Sequence, residues 1–208
     1  MDPWILVIDT STSFLSVSLG CNGKEIDTYR SLESLNHAKY ITTSIISLLE
    51  KNNLELSALN AVAVHCGPGS FTGLRVGSSV AKGLCFGLDI PLISVKGLEA
   101  ISKTLSEQNP SHSYFTLIDA RRNNFYFSYF DTEKKYLHPS SFANEEEIIN
   151  IKNKISNAII IKNTNEEDQT YFCSSFLVQD AFEKYNNQIF EDIAAFEPLY
   201  LVNNYIKS

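Results

Sequence analysis

Apolar and polar positions change period several times along this chain, and the changes mark out its elements. Trp4 to Ile8 is a continuous apolar run ending in Asp9-Thr10-Ser11-Thr12, and Phe14 to Leu19 then alternates as a strand does. Asn22-Gly23 follows, and both residue types accept positive φ. The pair predicts a tight hairpin with Lys24–Arg30 as the return strand. The chain therefore opens as three antiparallel strands, with a polar loop at Asp9–Ser13. From His37 to Asn52 the period becomes helical, through Ala38, Ile41, Ile45, Leu48 and Leu49, and Asn36 stands where an N-cap belongs. Ala61–Val64 reads as a short buried strand. The glycine-rich turn Gly67–Gly73 leads into a second helix over Thr72–Gly87, then a strand at Leu92–Val95 and a helix at Leu98–Leu105.

The second half is less periodic. Tyr114–Ile118 and Asn124–Phe130 predict strands on either side of Asp119-Ala120-Arg121-Arg122. Asn144–Ile151 predicts a helix, Ala158–Ile161 a strand and Phe176–Tyr185 a helix, while Asn163–Gln169 is polar enough for a solvated loop. Antiparallel strands followed by alternating helices and strands make an α/β or α+β chain.

Composition narrows the function classes. The 208 residues suffice for one domain or two small lobes, and 44% hydrophobic with 20% charged residues is ordinary for a globular protein. The start Met1-Asp2-Pro3-Trp4 has no basic leader region, and no apolar run reaches the roughly 20 residues of a membrane span, so a cytoplasmic location without a membrane role is expected. Net charge is −7 and no basic run exceeds a pair, so any RNA is expected to be met through a partner. Cys21, Cys66, Cys85 and Cys173 form no CxxC pair and read as reduced thiols. His37, His65, His112 and His138 make no HExxH or i, i+4 pair, so no metal site is expected. No G-x-S-x-G elbow is present, Ser70 reads as a turn or cap residue, and Glu145-Glu146-Glu147 as a helix N-terminal turn.

Three constellations remain. The Gly67–Gly73 turn could cradle an anion at a helix start, or be a plain tight turn; it lacks the Gly-Lys-Ser/Thr of a Walker loop. Arg75, placed in the first helical turn, either neighbours an anion or faces solvent. Asp9-Thr10-Ser11 could hold a phosphate with a magnesium ion beside Asp9, or form an Asx or Ser/Thr turn. In the second helix Gly73, Gly77 and Ala81 are four apart, as are Gly83 and Gly87, which predicts close approach of another helix, in the same chain or another.

Several segments together resemble one family. Ile5–Thr12 is similar to the opening strand and turn of the TsaB/YeaZ group, and Gly67-Pro68-Gly69-Ser70-Phe71-Thr72-Gly73-Leu74-Arg75-Val76-Gly77 to its signature. Asp119–Arg122 with Tyr126, and Pro198-Leu199-Tyr200-Leu201, fall where that family has similar segments; Val202 stands where many members carry Arg. The resemblance implies a glycoprotease-like protein of the actin-like ATPase (ASKHA, ribonuclease H-like) α/β fold. It would have two lobes, 1–106 and a reduced 107–208. The larger relative, TsaD, moves a threonylcarbamoyl group onto a tRNA adenosine and carries a His-x-x-x-His metal site. Gly97 and Ile101 stand at the corresponding positions here and cannot bind metal. The resemblance therefore implies a non-catalytic dimerisation subunit in threonylcarbamoyladenosine synthesis, partnered by TsaD and the ATPase TsaE, with tRNA met only through the complex and a homodimer in isolation.

On that reading the partner interface comprises His37, Tyr40, Ile41, Ser44 and Leu48 of the first helix, and Gly73, Val76, Gly77, Val80, Gly83, Leu84 and Gly87 of the second. A degenerate cleft, with weak ATP or ADP binding at most, would use Asp9, Thr10, Ser11, Gly67, Gly69, Arg75 and Arg121. No catalytic residue is assigned. The competing readings are an ATP-dependent phosphotransferase of the same superfamily, a metallopeptidase, which the missing histidine pair disfavours, and a generic homodimeric scaffold.

Overall fold

The computed structural model describes residues 2–31, 36–164 and 167–201. Strands β1 (Trp4–Asp9), β2 (Ser16–Cys21) and β3 (Lys24–Arg30) form the expected antiparallel unit. Asn22 (φ 51°) and Gly23 (φ 73°) make the turn between the last two. Helix α1 spans His37–Lys51, β4 Ala61–His65, α2 Phe71–Leu88, β5 Leu92–Val95 and α3 Gly97–Gln108. β4 pairs parallel to β1 and β5 parallel to β4, giving the order β3-β2-β1-β4-β5. A strand inside such a sheet is covered on both faces, which is why β1 and β4 read as unbroken apolar runs. Leu6, Ile8, Val62 and Val64 face the side of α1 and α2; Ile5, Val7, Ala61 and Ala63 face α3.

The second sheet has the order β8-β7-β6-β9, from β6 (Ser113–Asp119), β7 (Asn124–Asp131), β8 (Tyr136–Asn144) and β9 (Ala158–Lys162). Helix α3 lies between the sheets, and one core runs from Val7 and Ala63 through Leu98 and Ile101 to Tyr114, Ile118 and Ile161. Helix α4 (Glu145–Lys152) covers the far face through Ile148 against Phe115, Leu117 and Phe127. Its three glutamates form the first turn, and Asn144 and Glu147 build a capping box. The chain then returns to the first sheet. Ser16 and Ser18 bond Ser174, at 2.9 and 2.7 Å, and Gly20 leaves room for Val178 at the start of α5 (Val178–Asn186). Small residues alternating along β2 thus admit this packing.

Several boundaries differ from the sequence reading. β8 was not expected, because Pro139-Ser140-Ser141 interrupts its pattern; it is an edge strand, where proline costs no ladder bond, and the register beside it shifts between Phe127 and Tyr129. Helix α5 starts two residues after Phe176, because Ser174–Leu177 forms a 3-10 turn. In the Asn163–Gln169 stretch, 165–166 lie outside the described residues, and its end enters a 3-10 turn at Asp168–Tyr171. Asn36 stands at the N-cap of α1 but in a left-handed conformation (φ 118°), and its side chain caps nothing. Val202 lies outside the described residues. Among the described residues no helix is long and apolar enough to cross a membrane.

Candidate functional site

The loop after β1 and the turn after β4 meet at the carboxyl ends of adjacent parallel strands, the place where open α/β sheets hold ligands. Here the two loops are packed on each other. Thr10 Oγ1 donates to the Gly73 carbonyl at 2.7 Å, and Ser70 N donates to the Ser11 carbonyl at 2.7 Å. A Cβ at Gly69 would stand 2.6 Å from the Ser11 carbonyl oxygen, one at Gly73 would strike the Thr10 carbonyl, and one at Gly77 the Thr10 hydroxyl. A Cβ at Gly67, which has φ 123°, would strike the Leu199 carbonyl, and Leu199 N donates to the Cys66 carbonyl at 2.6 Å. The Gly67–Gly73 turn is therefore lined on both sides by this chain itself. Ser70 caps α2 by accepting from Gly73 N at 3.2 Å.

The residues named for phosphate or magnesium contact are closed off in this arrangement. Asp9, Thr10 and Ser11 are at most 2% exposed. Asp9 Oδ1 accepts from Ser11 N at 2.8 Å and from His65 Nδ1 at 3.0 Å, while Asp9 Oδ2 is buried and unpartnered. Burial would push the Asp9 carboxyl up, but the neighbouring His65 and hydrogen bonds from His65 and Ser11 hold it below the usual carboxylate value. Opposite, Gly97 opens α3 with its Cα against the His65 imidazole, and Ile101 is wholly buried. Neither position faces an open site. His65 was not singled out in the sequence beyond its lack of metal partners; only its pairing with Asp9, 56 residues away, gives it a role.

The two arginines also stand differently. α2 starts at Phe71, so Arg75 lies in its second turn; the guanidinium sits 3.9 Å above the Phe71 ring, and Nε donates to the Tyr200 hydroxyl at 3.2 Å. Arg121 is exposed at the β6–β7 turn, in a left-handed run with Arg122 and Asn123, its backbone N donating to Asp119 Oδ1.

Helices α1 and α2 also carry exposed apolar side chains and an apolar groove. A groove of about 430 Å³ runs between the helices, with Ala38, Thr42, Val76 and Val80 along it, Ile41 as floor and Arg75 at its rim. Phe71 and Phe86 are 54% and 82% exposed, and Tyr40 and Ile46 also face outward. Of the expected interface, His37, Tyr40, Val76, Val80, Gly83, Leu84 and Gly87 reach this surface in whole or part. Ser44, Leu48, Gly73 and Gly77 do not: they are buried in this chain, the two glycines against the Thr10 loop and no helix. Gly83 and Gly87 have open space where a Cβ would point. Phe71, Phe86 and Ile46 were missed; for the two phenylalanines the signal was an α2 apolar on more faces than one core can bury.

Residues 31–197 match the family described as TsaD, tRNA N6-adenosine threonylcarbamoyltransferase. The chain is 38% identical over 119 residues to the tRNA threonylcarbamoyladenosine biosynthesis protein TsaB of Haemophilus influenzae, covering 57% of this chain and 50% of that one. It is 34% identical over 117 residues to the Escherichia coli TsaB, covering 56% and 50%. The chain thus spans about half the length of the curated relatives it matches. Among solved structures, YeaZ from Pseudomonas aeruginosa superimposes with a TM-score of 0.76 over 96% of this chain and all of that one, at 21% identity. That match carries the α/β fold implied by the resemblance.

Proposed function

This chain belongs to the TsaD family of tRNA N6-adenosine threonylcarbamoyltransferases, and we propose that its part in threonylcarbamoyladenosine synthesis is to dock on a catalytic relative rather than to transfer the group itself. The observation that carries this reading is the surface of α1 and α2, where Phe71 lines an apolar groove and Phe86, Tyr40 and Ile46 are exposed on the same two helices. Large apolar side chains left exposed on two packed helices are the kind of surface a protein contact covers. The relatives named TsaB support the pathway, and Gly97 and Ile101, standing where the resemblance places metal-binding histidines, support a non-catalytic role. The partners would be the TsaD catalytic subunit and the ATPase TsaE, in the cytoplasm, with tRNA reached through the assembly.

Phosphotransfer by this chain alone is the lesser reading. It needs an open phosphate cradle, and Thr10, Ser11, Gly69 and Gly73 are committed to one another. Any nucleotide would have to bind elsewhere or displace that packing. The deciding experiment is threonylcarbamoyl transfer to tRNA by the cognate catalytic subunit, ATPase and adenylate-forming enzyme, with and without this chain. Modification that depends on the chain, with no ATP hydrolysis by the chain alone, supports docking. Equal modification without it rejects the proposal.

A further inference from the structure

Resting on the docking reading above, we propose that the second sheet carries a stacking platform for a base of the tRNA held by the assembly. The platform is the ring ladder Phe115–Tyr129–His138 with Tyr136 beside it, and neighbouring lysines meet the phosphates. The three rings come from the adjacent strands β6, β7 and β8 and lie nearly parallel. Phe115 and Tyr129 have centroids 4.5 Å apart at 17°, and Tyr129 and His138 4.7 Å apart at 22°. Phe115 is wholly buried, Tyr129 and His138 are half-buried, and Tyr136 is 48% exposed and edge-on to both. Because β8 is the edge strand, no further strand continues the ladder beyond His138.

The last ring is fixed in place. His138 Nδ1 lies 2.7 Å from the Pro139 carbonyl, which can only accept, so Nδ1 carries the proton. In the neutral ring Nε2 is then an acceptor, and it has no partner among the described residues. A ladder of rings that runs to a sheet edge takes another flat ring on its end, and every base has such a face.

Charge identifies the carrier of that ring as a polyanion. Ser113 ties two turns together at this end of the sheet. Its N donates to the Asn157 carbonyl at 3.2 Å, and its Oγ accepts from Thr132 N at 3.1 Å. Residues 132–135 and 152–157 carry Lys134, Lys135, Lys152 and Lys154 against one acid, Glu133, on a chain whose net charge is −7. Lys134 is paired with Asp131 at 3.3 Å, and the other three have no ion pair among the described residues. Lys135 directly precedes Tyr136, so ring and charge stand together at the start of β8. A nucleotide supplies both a ring and a phosphate. The overall negative charge opposes unaided binding, so the platform serves a tRNA that the assembly already holds.

The test is steady-state threonylcarbamoyl transfer by the full assembly at varied tRNA concentration, together with tRNA binding to that assembly across a salt series. Wild type is compared with H138A, H138F, Y136A and the double variant K135M/K154M, with melting and binding to the catalytic subunit measured for each. H138A and Y136A should raise the KM for tRNA about fivefold or more with little change in kcat. H138F should restore it, since phenylalanine keeps a stacking ring. K135M/K154M should reduce the slope of log affinity against log salt by about 1 to 2. Tyr136, Lys135 and Lys154 are exposed, so their variants test the platform even if H138A unfolds. Unchanged KM and salt slope in every variant, with modification still requiring the chain, overturns the platform and leaves the docking reading intact. Modification that does not require the wild-type chain rejects both. Weaker binding of Y136A to another protein of the assembly, with tRNA affinity unchanged, makes this face a protein contact and overturns the proposal. Failure of H138F to restore KM overturns stacking as the mode of contact.

Discussion

His65 Nδ1 lies 3.0 Å from Asp9 Oδ1, and both side chains are closed to solvent. The carboxylate that ends β1 therefore meets an imidazole from β4 instead of facing an open cleft. Gly97 makes this possible, since any side chain there would occupy the space of the ring.

The pair should matter for stability. Removing His65 leaves Asp9 buried without its main partner, and breaking a buried pair from one side typically costs about 3 kcal/mol. His65→Ala is expected to lower the urea midpoint accordingly. A loss below about 1 kcal/mol would mean that Asp9 finds compensation elsewhere.

Acid should act through the same carboxyl. The folded state holds Asp9 below the value of 3.8 it would have in a model peptide. A depressed carboxyl contributes stability that is present above the unfolded value and lost as pH falls through the folded one. Urea midpoints should therefore fall as pH is lowered below about 4, with a shallower fall in Asp9→Asn. Identical slopes in both proteins would assign the acid sensitivity to other groups.

The glycines of α2 should divide into two classes. Gly73→Ala places a methyl against the Thr10 carbonyl and should destabilise the isolated chain by about 1–3 kcal/mol. Gly83→Ala has open space and should stabilise it by up to about 1 kcal/mol through helix propensity. Thermal melts of the two variants without any partner suffice. Shifts of the same sign would show that the Thr10 loop does not hold α2 as described.

Thiol chemistry should follow burial. Burial pushes the Cys66 and Cys85 thiols up, each to about 11, whereas Cys21 is only half-buried. Alkylation of the native protein near neutral pH, followed by peptide mass spectrometry, should label Cys21 well before Cys66 or Cys85. Early labelling of Cys66 would indicate that the segment around Leu199 opens readily.

The first sheet was legible because its signals are local. Asn22-Gly23 encodes a turn that needs positive φ twice, unbroken apolar runs encode strands covered on both faces, and the α1 pattern encodes one buried stripe. The second sheet was partly legible: Tyr114–Ile118 is a short apolar run broken only by Thr116, whereas β8, at an edge and interrupted by Pro139, has no such run to read. The candidate site was visible as a motif that reads equally as an anion cradle or as a plain tight turn. Gly73 and Gly77 announce close approach of something, and the spacing that permits a helix permits a loop equally well.

By itself, then, the sequence determined the order of the elements other than β8, the turn chemistry and the family to which the signature points. Tertiary structure alone decided that Asp9 pairs with His65 and that the Thr10 loop fills the glycine turn. It also decided that Phe71, Phe86 and Arg75 stand outside while Ser44 and Leu48 do not. Those outcomes depend on which residues far apart in the chain are brought within a few ångströms. A periodic pattern records which face of an element is apolar, and cannot record what that face meets.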